Sequence, residues 1–257
     1  MPKFNTEAYL TTIAVPWQQT ADLAYLQTLQ QEHLYHIPFE NLDIHCGIPI
    51  QFDLDHLFGK IVARRRGGFC YELNGLFYAL LQELGYDCWR IMARVYEAPR
   101  KYSHPYDHMA LIVRLGKEIY LADVGFAEFS LHPIRLEKGA ITKDGRNQYR
   151  VDQYYDYYRI NSWRAGKWAP EYIFKPAPQA WTAFHDRSII HQTDPSSHFQ
   201  KGPMITKLSA LGRMTLTDKK FKYDGATKPI KGEEEFAKML LQHFDLSWTT
   251  LKTQSKD

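Results

Sequence analysis

The sequence predicts an α+β fold of three successive parts, because its residue pattern changes twice along the 257 residues. Residues 1–86 place apolar side chains mostly at helical spacing. From about 87 to 190, short segments rich in β-branched and aromatic residues alternate with turn residues, which is typical of strands. The rest mixes short strands with one late helix. A chain of this length can bury a large core.

Two helices stand out in the first part. In TADLAYLQTLQQEHLYHIPFEN, Thr20 is the expected N-cap and Pro38 ends the helical pattern. In CYELNGLFYALLQELG, Gly85 is expected to form a left-handed C-cap. The apolar stripes that predict these helices consist of Leu23, Leu26, Leu29 and Leu34 in the first, and of Leu73, Leu76, Phe77, Leu80, Leu81 and Leu84 in the second.

Four segments predict the strands of the second part: CWRIMARVY, HMALIVRL, EIYLADVGF and QYYDYYRINSW. The tyrosines of the last segment are expected to pack on a sheet rather than to bind a ligand. In the third part, GRMTLTDKKF predicts a short strand and GEEEFAKMLLQHF an amphipathic helix with Phe236, Met239, Leu240 and Phe244 on one face.

Composition excludes several functions. The net charge of +3 is too small to favour nucleic acid or an anionic membrane as partner. No run of 18 apolar residues predicts a membrane span, and the start of the chain lacks the pattern of a signal peptide. The three cysteines, Cys46, Cys70 and Cys88, contain no CxxC pair, so no disulfide framework or metal site is expected. We therefore expect a cytoplasmic protein.

Cys70 is the candidate nucleophile, because it follows two glycines in RRRGGFCYELNGLF, where a helix begins. The unpaired N–H groups and dipole of a helix N-terminus favour a thiolate. The glycines are expected to allow positive φ, to leave the sulfur accessible and to let backbone N–H groups hold an oxyanion. The alternative is a buried cysteine that packs like alanine.

The expected base is His108, held by Asp123. Gly116-Lys117 predicts a type II′ turn, so that opposing residue numbers sum to 233 and Asp123 lies opposite Ala110. His108 is then the diagonal neighbour of Asp123 on the same face, about 7 Å away between Cβ atoms. The carboxylate would orient the imidazole, which would depress the thiol pKa. A polar pair without chemistry is the alternative, and His104 and Asp107 are weaker candidates in nearby loop sequence.

At this point the sequence resembles the arylamine N-acetyltransferase family. The matching pieces are IPFENLDI, RRRGGFCYELNGLF, ARVY, HMALIV, LADVGF and HQTDPSSHF, in the order and spacing of that family. The resemblance implies a helical bundle over 1–86 that carries the nucleophile, a β-barrel over 87–192 that carries the histidine and aspartate, and an α/β lid over 193–257. It also implies a catalytic core like that of cysteine proteases.

The resemblance assigns the triad to Cys70, His108 and Asp123. It implies that acetyl-CoA acetylates the cysteine and that an aromatic amine, hydrazine or N-hydroxyarylamine then takes the acetyl group in a ping-pong cycle without a metal. Other positions are similar to residues with further roles. The resemblance implies that Glu40 and Arg66 form an ion pair and that Asn74 lies near the aspartate. It further implies an acceptor pocket lined by Phe39, Phe69, Val95 and Phe126, and we expect Phe129 and Ser130 to contact coenzyme A.

The chain departs from the family after DVGF, where AEFS replaces a small, glycine-rich turn. Glu128 is expected to weaken coenzyme A binding by like-charge repulsion with the phosphates. Asp194 stands where the family often has serine, and Arg64 and Arg65 are expected to be solvated. Two other functions remain open: a thiol amidase or transglutaminase-like hydrolase with the same triad, and a binding protein of the same fold with little turnover.

Overall fold

The structure is a computed structural model that describes residues 2–99, 101–223 and 225–253. Its α-helices are α1 (Thr6–Thr12), α2 (Leu23–His36), α3 (Leu42–Cys46), α4 (Leu54–Phe58), α5 (Cys70–Glu83), α6 (His185–Thr193), α7 (Gly232–Phe244) and α8 (Trp248–Thr253). A π-helical turn, Gly59–Ala63, continues α4, and 3₁₀ turns lie at Trp181–Phe184 and His198–Gln200.

The strands form two antiparallel sheets. They are β1 (Phe39–Glu40), β2 (Asp87–Glu97), β3 (Lys101–Tyr102), β4 (His108–Leu115), β5 (Glu118–Ala122), β6 (Ile134–Arg135), β7 (Ile141–Lys143), β8 (Gln148–Tyr154), β9 (Tyr157–Arg164), β10 (Lys167–Phe174), β11 (Met204–Ser209), β12 (Gly212–Thr217), β13 (Lys220–Tyr223) and β14 (Ala226–Pro229).

The larger sheet has the order β6-β5-β4-β2-β10-β9-β8-β7, with β3 paired to β2. It curls into a nearly closed barrel, since one apolar cluster takes residues from β6 at one edge, from the middle strands and from β8 next to the other edge, among them Ile134, Leu121, Ile112, Ile160 and Val151. The smaller sheet has the order β1-β11-β12-β13-β14 and packs against α7 and α8. The predicted α+β fold of helices, barrel and α/β segment is therefore confirmed.

The predicted helices form with one corrected boundary. The N-cap of α2 is Asp22, whose side chain accepts from the backbone N–H of Tyr25 at 2.8 Å, so the assignment of Thr20 is wrong. Aspartate caps as well as threonine does, and here it directly precedes the first helical residue. Gly85, just beyond α5, has a φ of +83°, as predicted for a left-handed cap.

The predicted register of the β4–β5 hairpin is confirmed. Leu115 pairs with Glu118 and Leu111 with Ala122, so that opposing numbers sum to 233. The first turn residue, Gly116, has a φ of +62°, the region that a type II′ turn requires at this position. The register brings His108, the first residue of β4, to the same end of the hairpin as Asp123.

Two predicted single strands are hairpins. QYYDYYRINSW contains the end of β8 and most of β9, and the turn between them exposes 86% of Tyr155 at a φ of +54°. GRMTLTDKKF likewise spans β12 and the start of β13. Each turn contains an aspartate, Asp156 or Asp218, but neither contains glycine or proline, which are the strongest turn signals. Tyr158 stacks on Phe174 as predicted, whereas Tyr155 does not pack on the sheet.

The three parts interlock. The strand β1 of the helical part pairs with β11, so the smaller sheet is anchored just before the segment that carries Cys70. The turn Trp181–Phe184 inserts Phe184 into the helical core cluster. We propose that the three modules meet after residues 86 and 192.

Candidate active site

Cys70 is the first residue of α5 and is almost fully buried, with 3% of its surface exposed. The loop before it needs glycine for close packing: a Cβ at Gly67 would lie 2.1 Å from the carbonyl oxygen of Pro38. The expectation that the glycines supply positive φ is wrong, because that conformation falls on Arg65, at a φ of +50°. The glycines therefore let the loop fold tightly against the strand segment at Pro38.

Two backbone N–H groups of this loop already have acceptors within the protein. Gly68 donates to the carbonyl of Pro38 at 3.3 Å, and Phe69 donates to Oε2 of Glu72 at 3.0 Å. These two groups are therefore not free to hold an oxyanion, and an oxyanion site formed by other N–H groups near Cys70 stays a prediction. Glu72 instead fixes the start of α5 from within its first turn.

A buried charge network holds the loop in place. The predicted ion pair forms, with 2.7 Å between Arg66 Nη2 and Glu40 Oε1. Arg66 also reaches Asp43 at 2.6 Å, and Lys60 bridges Asp43 at 2.7 Å and Glu72 at 2.8 Å. Burial raises the pKa of Asp43, but Lys60 and Arg66 outweigh this effect and lower it to about 2. Arg64 and Arg65 are exposed, as predicted.

Lys60 and Asp43 were missed in the sequence. The lysine lies in GKIVARRR, which is typical of a solvated basic surface, yet only 1% of it is exposed. A pairing of residues far apart in the chain leaves no periodic signal.

Asp123 binds the imidazole of His108 as the register predicted. The distance between His108 Nε2 and Asp123 Oδ2 is 2.7 Å, and both side chains are buried. Oδ1 of Asp123 accepts from the side-chain amide of Asn74 at 2.9 Å and from the backbone N–H of Gly125 at 2.9 Å. Asn74 thus lies beside the aspartate, as the resemblance implied.

Two further residues complete the surroundings of the aspartate. The hydroxyl of Tyr172 donates to Asp123 Oδ2 at 3.0 Å, and Oε1 of Gln30 accepts from the Asp123 backbone N–H at 3.2 Å. Both are fully buried. The sequence did not reveal them. Tyr172 lies at an inward-facing position of β10, where any core aromatic residue could stand, and Gln30 is an isolated polar residue on α2.

Gly125 brings the aspartate loop against α5. A Cβ at this position would lie 2.6 Å from Asn74 Nδ2 and 2.8 Å from the carbonyl oxygen of Cys70. Only glycine allows this approach, which joins the loop after β5 to the first turns of the helix that carries the thiol. The DVGF motif thus serves packing as well as supplying the carboxylate.

Burial raises the pKa of the Cys70 thiol, and the carboxylates of Asp107 and Asp123 raise it further. Backbone hydrogen bonds from Met109 and Tyr71 lower it but do not prevail. Burial and the two carboxylates therefore oppose the depressed thiol pKa that we expect from pairing with His108. In a buried site the loss of hydration outweighs the helix N-terminus, so a lone thiolate is not favoured.

Cys70 and His108 open into one cavity of about 740 Å³. Of the predicted acceptor residues, Phe39, Val95 and Phe126 line it, and the ring of Phe126 lies 5.2 Å from that of His108. Phe69 lies behind the wall, fully buried against Phe199. The weaker candidates also line the cavity, together with other polar residues: His104, Asp107, Arg187, His191, Asp194 and Ser197.

Phe129 and Ser130 do not reach this cavity. Phe129 is buried in the barrel core against Tyr149 and Tyr172, and Ser130 is fully buried with its hydroxyl donating to the carbonyl of His132. Their side chains are thus turned away from any ligand at Cys70. Their assignment as coenzyme A contacts stays a prediction that the packing does not favour.

Glu128 lies in the wall between the thiol cavity and a second cleft of about 690 Å³. Arg213 of β12 lines the same cleft, donates to the carbonyl of Ala127 and interacts electrostatically with Glu128. Burial lowers the pKa of Arg213 to about 10, and Glu128 opposes this effect. The cleft also carries exposed lysines: Lys201, Lys219, Lys220 and Lys222.

Neither a membrane span nor a metal site is found in the described ranges. None of the helices there combines the length and apolar content that crossing a bilayer requires. No group of three or more His, Cys, Asp or Glu side chains in those ranges is arranged to hold a metal ion.

Fold and site together open a cysteine, at the start of a buried helix, and a carboxylate-bound imidazole into one cavity, as in acyl-transfer enzymes that use a thiol nucleophile. The profile of the N-acetyltransferase family matches residues 22–252. An arylamine N-acetyltransferase of Mycolicibacterium smegmatis is 34% identical over 232 residues, which cover 87% of this chain and 84% of that protein. The chain belongs to the arylamine N-acetyltransferase family.

Solved structures agree with this assignment. The arylamine N-acetyltransferase of Salmonella typhimurium superposes with a TM-score of 0.87 at 27% identity, covering 96% of this chain and 92% of that one. The enzyme of Mycobacterium marinum in complex with CoA superposes with a TM-score of 0.85 at 28% identity, covering 98% of each chain.

Proposed function

We propose that this enzyme transfers the acetyl group of acetyl-CoA, through a thioester on Cys70, to the nitrogen of arylamines and arylhydrazines or to the oxygen of N-hydroxyarylamines. The observation that carries the proposal is the shared cavity, into which both Cys70 and the Asp123-bound imidazole of His108 open. Membership of the family supplies the donor and the class of acceptor.

The raised thiol pKa determines how the nucleophile forms. Because Nε2 of His108 is bonded to Asp123, Nδ1 is left to take the thiol proton. The resulting thiolate then has an imidazolium beside it, and Asp123 stabilises that cation. Attack on the acetyl carbonyl forms the C–S bond of the acetyl-enzyme, and the imidazolium protonates the departing sulfur of coenzyme A.

The second half-reaction reverses these proton movements. The acceptor nitrogen attacks the thioester, its proton passes to His108, the C–N bond forms and Cys70 leaves as thiolate. Phe39, Val95 and Phe126 offer a flat aromatic acceptor the apolar and aromatic surface that such ligands prefer.

We also propose that the phosphates of coenzyme A lie in the second cleft. Its lysines and Arg213 supply positive charge, and the cleft shares Ala127, Glu128 and Phe199 with the thiol cavity. An extended donor can thus reach from the basic cleft to Cys70. Arg213 offsets part of the negative charge of Glu128, so we expect a smaller penalty from Glu128 than the sequence alone suggested.

Intact-mass measurement after mixing with acetyl-CoA alone tests the function. We expect one added acetyl group, located on Cys70, in the wild type and in Cys88→Ser, and none in Cys70→Ala. An arylamine should then remove the group as arylamide. Release mainly as acetate would favour the hydrolase, and the absence of any acetyl-enzyme would favour the binding protein.

We place the enzyme in the cytosol. Cys46, Cys70 and Cys88 are all free and buried thiols, which suits a reducing compartment. The nucleophile itself requires a reduced sulfur.

A further inference from the structure

A second carboxylate faces the thiol cavity from the residue just before His108. Asp107 directly precedes β4 and lines the cavity with Cys70. The hydroxyl of Tyr71, next to Cys70, donates to the carbonyl of Tyr106, next to Asp107, at 2.6 Å. This hydrogen bond joins the residue after Cys70 to the residue before Asp107 and so holds the carboxylate close to the sulfur. The charge of the carboxylate raises the pKa of the thiol.

Two side chains of α6 fix this carboxylate. Oδ1 of Asp107 accepts from Arg187 Nε at 2.7 Å and lies 3.2 Å from His191 Nε2. His191 is buried, and its ring packs on those of Phe69 and Tyr71, which flank Cys70 in the chain. Burial raises the pKa of Asp107, but His191 and Arg187 lower it to about 2, so the carboxylate stays ionised at neutral pH.

The arrangement leaves one carboxylate oxygen available. Within the described part of the chain, the hydrogen bonds and ion pairs of the Asp107 side chain all end on Oδ1. Oδ2 is therefore an anionic acceptor with no partner among the described residues, on a residue that borders the same cavity as the nucleophile. Holding one oxygen while leaving the other unpaired is how a carboxylate is oriented toward a ligand.

We propose that Oδ2 of Asp107 accepts a hydrogen bond from the N–H of the acceptor as its nitrogen attacks the acetyl-enzyme. This inference rests on the proposed function and concerns its second half-reaction alone. When the C–N bond forms, the nitrogen gains positive charge before its proton passes to His108, and a fixed carboxylate stabilises that charge. Attacking water passes its proton to His108 as the C–O bond forms and builds up less positive charge than the amine, so the fixed charge of Asp107 favours amine transfer over hydrolysis.

The test is Asp107→Asn, which keeps the shape of the side chain and removes its charge. Single-turnover acetylation by acetyl-CoA should be unchanged or faster, because a charge that disfavours the thiolate is gone. The second-order rate of acetyl-enzyme with an arylamine should fall roughly 10- to 100-fold, as for loss of a hydrogen bond to a charged group. The ratio of arylamide to acetate should fall with it.

Asp186→Asn is the matched control, because Asp186 is a fully exposed carboxylate on α6 beside Arg187. It should leave both half-reactions unchanged. Asp107→Glu keeps the charge and should retain part of the amine rate, which loss of structure alone would not predict.

The two proposals fail differently. If the wild type forms no acetyl-enzyme, the proposed function is wrong. If the wild type and Asp107→Asn are acetylated alike and react equally fast with the arylamine, the assignment of Asp107 is wrong and the proposed function stands. Equal losses in both half-reactions would also overturn it, since they indicate a general structural effect.

Discussion

At the scale of single residues, the imidazole is oriented by the groups around Asp123 rather than by Asp123 alone. Asn74 and the N–H of Gly125 bind Oδ1, while Tyr172 shares Oδ2 with His108. Because each of these groups contacts the carboxylate, together they hold its side chain in one orientation. The hydroxyl of Tyr172 is the contact that can be removed with the least change in shape.

Tyr172→Phe should lower the rate of both half-reactions about 3- to 10-fold, because one neutral hydrogen bond to the aspartate is lost. The measurement is single-turnover acetylation by acetyl-CoA, followed by reaction with an arylamine. Tyr158→Phe is the control, since Tyr158 packs on Phe174 of the same strand as Tyr172. A loss confined to the amine step would contradict a role through Asp123, which acts in both.

These residues also show what sequence can reveal about a site. Cys70 was predicted from a glycine pair and a helix start, and the contact of His108 with Asp123 from the register of one short hairpin. Both are local features. Tyr172 and Gln30 meet Asp123 from β10 and α2, 49 and 93 residues away. No local period or turn encodes such meetings, so they required the structure.

At the scale of elements, α2 packs into the helical core through a neutral histidine. His33 is fully buried, and its Nδ1 lies 2.8 Å from the hydroxyl of Tyr9 in α1. Its ring meets Phe77 of α5 edge to face at 5.4 Å. Burial, with a smaller effect from the charge of His36, lowers the pKa of His33 to about 3. Protonation of His33 at low pH therefore affects the contact of α2 with α1 and α5.

The sign of the pH dependence follows from the lowered pKa. Between pH 6.5 and 3 the unfolded chain binds a proton at His33 and the folded chain does not, so the free energy of unfolding falls as pH falls. From pH 7.5 to 4.5 this residue should account for about 3 kcal/mol. Denaturant unfolding of the wild type and His33→Gln at both pH values measures it.

The variant should lose less stability than the wild type over this interval, because glutamine does not titrate. His185→Gln, at an exposed position on α6, should retain the wild-type dependence. An equal loss in wild type and His33→Gln would mean that His33 is protonated in the folded protein.

At the scale of the whole molecule, the proposed donor site lies where the barrel and the smaller sheet meet. The pairing of β1 with β11 fixes the smaller sheet near Cys70, and β12 places Arg213 against the loop after β5. Sequence patterns predicted the order of helices, barrel and α/β part. They did not predict this junction, since the cleft arises from the relative placement of segments more than 80 residues apart.

If the cleft binds the phosphates, substitutions there should change the affinity for donors that carry phosphates and not for donors that lack them. Lys220→Gln combined with Lys222→Gln removes cationic partners of the phosphates and should raise the KM for acetyl-CoA roughly 3- to 10-fold at low salt. Glu128→Gln removes an anionic neighbour of the phosphates and should lower the KM. Both effects should shrink as salt rises.

With S-acetylpantetheine, which carries no phosphate, neither change should alter KM. Lys138→Gln, an exposed lysine outside the cleft, is the control. A double variant that raises KM equally for both donors would show that the lysines act on the fold rather than on the phosphates, and unchanged values for acetyl-CoA would place its phosphates elsewhere.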